Sequence, residues 1–209
     1  MKPADLLPTD PAVVDLTLAR GVAITQYVSL ETSFASLYQM LSMSGAAKED
    51  MRLFYDMNNF DRFKVIGEIL TSKSPARYSS YCDSLLDDLK RLVDMRNFIA
   101  HAQQILGGEE VKLGEAHGSY SRKYGPHLVP QEWSGSFSRV KKMAVHDVTA
   151  AAKRFGYCSS CVGMLTHTLL AGKAPTEQLE TMLHNKHEIQ PSPKHPLFWA
   201  YNFDHLRSG

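Results

Sequence analysis

The chain has 209 residues, a hydrophobic fraction of 44%, a charged fraction of 22% and a formal net charge of +1. This is the composition of an ordinary folded protein, which excludes a disordered chain. The near-zero charge excludes a general coat for nucleic acid, because any affinity for a polyanion must then come from a local patch. Three cysteines, Cys82, Cys158 and Cys161, are too few and too odd for a disulfide scaffold, and Asp10, Asp15 and Arg20 interrupt the N-terminal apolar residues. No leader and no membrane span are expected, and the cytoplasm is the expected compartment.

After a Pro-containing lead, Ala23, Tyr27, Leu30, Phe34, Leu37 and Leu41 recur at three-then-four spacing, which predicts a first helix from about Pro11 to Ser42, stopped by Ser44-Gly45. A second helical stretch follows from Lys48. Asn58-Asn59 reads as a break and a new N-cap before Phe63, Ile66 and Leu70 resume the stripe, so two short pieces are expected. Pro75 starts the third main helix, with Leu85, Leu89, Leu92 and Ile99 on its buried face and Gly107-Gly108 at its end. From there the text loses helical period, and Glu110-Val111-Lys112-Leu113 alternates like a strand; an insertion loop with a small hairpin is expected over about 107–142. Ala144, Val148, Ala151, Phe155, Cys158, Val162, Leu165 and Leu169 then mark a long regular helix, and a short one can start at Pro175. Pro191, Pro193 and Pro196 lead into an extended tail over about 188–209 whose aromatic run, Phe198 to Phe203, suits docking on the bundle or on a partner. The expected architecture is all-α: a single domain over 1–209, an antiparallel bundle of four to five helices with its core at about 11–172 and the insertion between helices three and four.

One string carries chemistry: Arg96-Asn97-Phe98-Ile99-Ala100-His101. At about 100° per residue, Arg96 falls within the stripe of Leu85, Leu89, Leu92 and Ile99, where a guanidinium needs an acceptor or a cleft. A carboxylate such as Glu31 or Glu68 would be the plain partner. His101 shares another face with Lys90, Asp94 and Asn97, and its plain reading is a solvated side chain near a helix end.

Taken together, the Arg, the polar residue after it and the His five positions on resemble the signature of the HEPN superfamily. The resemblance covers about residues 11 to 172 and places the motif where that helical family has it, near the end of the third main helix. It implies a homodimer in which Arg and His of two protomers face each other and cut RNA without a metal, so Arg96 and His101 become the catalytic pair and Asn97 the polar neighbour. No cofactor is implied. The types suit the chemistry: an imidazole moves protons near neutral pH, and a guanidinium holds the charge developing on phosphorus. On an ideal helix the two lie about 140° and roughly 7 Å apart, which two-fold symmetry can bring into one groove. Toxins of this superfamily paired with a nucleotidyltransferase antitoxin have a Tyr two positions after the His, and here that position is Gln103, so regulation through such a Tyr is not expected.

Asp94 and Glu31 are supporting candidates that could orient His101 or pair with Arg96. Within 120–142 the cations Arg122, Lys123, Arg139, Lys141 and Lys142 outnumber the single acid, Glu132, and Tyr120, Tyr124, Trp133 and Phe137 are interleaved. That mixture suits single-stranded RNA, with charge on phosphates and rings on bases; it equally suits a solvated loop pinned by its aromatics. Cys158 and Cys161 form a CxxC spacing and could be drawn with His184 and His187 as a zinc site, but both fall at or beside the core stripe and read better as buried small residues. A toxin or anti-phage setting with a cognate antitoxin would suit the ribonuclease reading; the competing expectation is a non-catalytic module of the same fold that binds a nucleotide, a nucleic acid or a protein partner.

Overall fold

A computed structural model describes residues 10–42, 47–114, 118–132, 139–170 and 175–189. Six α-helices dominate them: α1 Pro11–Ser42, α2 Ala47–Asp56, α3 Asn59–Lys73, α4 Ser79–His101, α5 Val145–Leu170 and α6 Glu177–Leu183. Four strands complete the set: β1 Gln103–Ile105, β2 Gly108–Gly114, β3 Gly118–Tyr124 and β4 His127–Val129. The all-helical expectation therefore holds at the level of class. No helix among the described residues is long and apolar enough to cross a membrane. The aromatic tail, the Pro-containing lead up to Thr9, the Ser44-Gly45 stop, and Trp133 and Phe137 lie outside the described residues.

Local chemistry accounts for the helix boundaries. The Asp10 carboxylate accepts the Ala12 amide at 2.9 Å and starts α1. Asn58, in extended backbone, accepts the Asp61 amide at 3.0 Å and caps α3, so the predicted break into two pieces is real. Pro75 opens a single 3-10 turn, Ala76–Tyr78, before α4. Thr176 caps α6 through the Leu179 amide.

The predicted end of the third main helix is corrected. Its pattern was expected to run to Gly107-Gly108, but α4 stops at His101, because Gln103–Ile105 gives its backbone groups to an antiparallel pairing with His127–Val129. Gly107 then turns the chain from β1 into β2 with φ +109, and a Cβ there would stand 2.8 Å from the Tyr124 carbonyl. The insertion is thus a two-stranded ribbon interrupted once, β1 with β4 and β2 with β3, in the place where a loop or small hairpin was expected. Met143 continues the ladder by exchanging two backbone hydrogen bonds with Leu128.

The chain, expected as one domain, divides into two compact units, 1–24 with 95–152 and 25–94 with 153–209. In the first, Val13, Leu16 and Ala23 of α1, Ile99 and Ala102, Leu128 and Val129, and Val148 and Ala151 of α5 are buried. In the second, Tyr27 meets Phe155 edge-on at 5.2 Å, Phe34 meets Phe63 at 6.4 Å, and the Ser33 and Ser159 hydroxyls pair at 2.8 Å. Tyr78, Tyr81, Leu85, Leu89, Leu165 and Leu183 close that core at 1% exposure or less. Each such Leu contributes on the order of 1.5–3 kcal/mol by leaving water.

Candidate functional site

The motif lies in the last two turns of α4. Arg96, Asn97 and Phe98 are half-buried, Ile99 is buried, and His101 is the exposed final residue of the helix. Arg96 donates from Nη1 to the Asn97 side-chain oxygen at 3.1 Å, so the polar residue after the arginine directs the guanidinium.

Helix α1 clamps this corner on both sides of His101. Arg20 donates from Nη2 to the Ala100 carbonyl at 2.8 Å, one residue before the histidine, which sets a cation on the unsatisfied carbonyl end of α4. Three residues after it, the Gln104 amide donates to the Val13 carbonyl at 3.2 Å and to the Thr17 hydroxyl at 3.1 Å. The Ala102 amide still returns to Phe98 at 2.8 Å, so the helix is intact up to the strand. Sequence reading missed this clamp, although a signal existed. Arg20 stands four residues after buried Leu16 and three before buried Ala23, a cation on an apolar stripe in the same way as Arg96.

Of the basic segment, Lys141 is brought to the motif: its ammonium lies 4.6 Å from the Phe98 ring centre, and Phe98 is three residues before His101. Lys142 is half-buried, and Arg139 is exposed. Arg122 and Lys123 are placed differently, because the ribbon register sets Arg122 opposite Glu110 and Lys123 opposite Glu109.

Asp94 is exposed on α4, two residues before Arg96. Glu31, one of the acids offered as a partner for Arg96 or His101, is held by Arg62 at 3.1 Å. Arg62 also donates to the Phe54 and Tyr55 carbonyls and lies over both rings, so its whole fork is engaged there and Glu31 completes it. Glu68 is exposed.

Cys158 and Cys161 are fully buried, as the core reading expected. Burial pushes the Cys161 thiol up to about 11, against the Tyr81 and Tyr157 hydroxyls that lower it. Among the described residues no group of three His, Cys, Asp or Glu side chains could hold a metal ion. The sequence did not single out the pair beside them, His187 and Asp88, with Nδ1 2.8 Å from the carboxylate and the imidazole fully buried. Asp88 falls three residues after Leu85 and four before Leu92, again on a core stripe, and that was the available signal.

Compared with family models, with curated proteins and with solved structures, the chain matches none.

Proposed function

We propose that the chain is a metal-independent endoribonuclease of HEPN type, acting in the cytoplasm as a homodimer in a toxin or defence setting, on a four- to five-helix HEPN-like bundle. The observation that carries the reading is the end of α4, where half-buried Arg96 is steered by Asn97, exposed His101 follows five residues later, and Arg20 and Lys141 add cations within the same unit. In the reaction, His101 accepts the proton of a ribose 2′-hydroxyl as its oxygen attacks phosphorus. Arg96 stabilises the charge on the equatorial oxygens, and the 5′-oxygen of the next nucleotide leaves with a proton returned by an imidazolium. The products are a 2′,3′-cyclic phosphate and a free 5′-hydroxyl. Lys141 holds a flanking phosphate, and the two-fold mate supplies the second Arg and His.

The test is incubation with a mixed RNA pool in EDTA and analysis of the new ends. Cyclic phosphate termini are expected, and undiminished cleavage by a chain carrying both Arg96→Ala and His101→Ala would remove the reading. The net charge of +1 favours one competitor, a non-catalytic binding module of the same fold. That module would leave every RNA intact and would retain a protein partner.

A further inference from the structure

Independently of that reading, the segment carrying α6 is fastened within the second unit at two points, both built from groups that titrate. At α6, the Glu180 carboxylate accepts from the Tyr78 hydroxyl and from Arg77 Nε at 3.0 Å, and the exposed His184 ring lies 3.0 Å away. The second point is His187, whose backbone amide donates to the Ser84 hydroxyl at 2.7 Å and whose Nδ1 meets Asp88 at 2.8 Å. Its ring is stacked on Tyr157 with centres 5.5 Å apart and takes the edge of Tyr81 at 5.5 Å. Nε2 has no hydrogen-bond partner among the described residues.

A neutral imidazole suits this pocket: Nδ1–H donates to Asp88, and Nε2 needs no acceptor while it carries only a lone pair. A proton on Nε2 would bury an N–H with no acceptor. The neighbouring charges offer limited relief. From α4 come Asp88 and Tyr81, with Arg91 drawing on the other Asp88 oxygen at 3.6 Å. From α5 come Tyr157, Cys158 and Cys161, whose hydroxyl and thiols burial keeps neutral, and Arg154, which acts on Cys158. From the segment itself, Glu188 favours the proton on His187, and His184 and Lys186 are exposed.

We propose that His187 is an acid-sensitive latch, and that its protonation releases residues 184–189 from α4 and α5 while buried Met182 and Leu183 still hold α6. Burial holds the imidazole below its ordinary value of 6.5, against the pull of Asp88. The released segment therefore binds the proton more readily than the docked one, so docking is at full strength above about pH 6.5 and weakens as pH falls below it. Glu180, held low chiefly by the Tyr78 hydroxyl, follows only below about 4.5, so the His187 fastening opens first.

The experiment is amide hydrogen exchange of residues 185–189 in the full chain at about pH 7.5 and about pH 5.5, corrected for intrinsic rates, with NMR titration of the His187 ring. Protection at about pH 5.5, one unit below the ring's ordinary value of 6.5, is expected to fall by up to about tenfold, while Leu89 and Leu165 amides keep theirs. His187→Phe keeps the stack and cannot titrate, and is expected to hold equal protection at both pH values. Asp88→Asn removes the carboxylate that favours the proton and is expected to enlarge the loss. Equal wild-type protection at both pH values, opening in His187→Phe like that of the wild type, or an unchanged loss in Asp88→Asn would each overturn the latch.

Discussion

On the proposed ribonuclease reading, His101→Ala is expected to lower the cleavage rate by about 10²–10⁴-fold with little change in substrate affinity, since it would remove the proton carrier and leave the cations in place. Single-turnover kinetics on a defined RNA measure it. Arg96→Lys keeps the charge but loses the planar fork that Asn97 steers, and is expected to fall at least about tenfold in the same assay. Arg20→Met removes the donor to the Ala100 carbonyl, at a cost of about 1–3 kcal/mol in urea unfolding, and lowers kcat more than it raises KM because His101 loses its seat. Arg96 was legible in the sequence because it interrupts an apolar stripe. Arg20 was equally legible and passed over, whereas the Arg62–Glu31 pair was not, since α1 and α3 meet only through tertiary packing that no local spacing encodes.

At the scale of elements, Asn58→Ala is expected to destabilise the fold by about 1 kcal/mol, read from the shift in a urea midpoint at constant slope, because the Asp61 amide loses its acceptor. Replacing Glu109–Lys123 by a two-residue turn is expected to leave the helical circular dichroism signal per helical residue unchanged, since β2 and β3 pair with each other. Helix starts were legible wherever a cap or a proline marks them. The end of α4 was not, because Gln103–Ile105 carries no strong strand signature and is committed by β4, more than twenty residues away.

For the molecule as a whole, Cys82, Cys158 and Cys161 are buried with thiols pushed up by burial, so the native chain is expected to react with Ellman's reagent only after unfolding, when three thiols appear. A rapid native reaction would contradict the packing of α5. The division into two units escaped sequence reading because neither is continuous in the chain, and no change of composition marks residues 24, 95 or 152.

Only Ala102, 5% exposed, stands between His101 and the first residue of β1. Adding or deleting one residue there would swing the histidine by about 100° relative to the ribbon or tear the ladder out of step. Natural length variation should therefore gather at the far end of the ribbon, between β2 and β3, and be purged between Phe98 and Ile105. The interval from helix to strand is thus a ruler that drift cannot stretch.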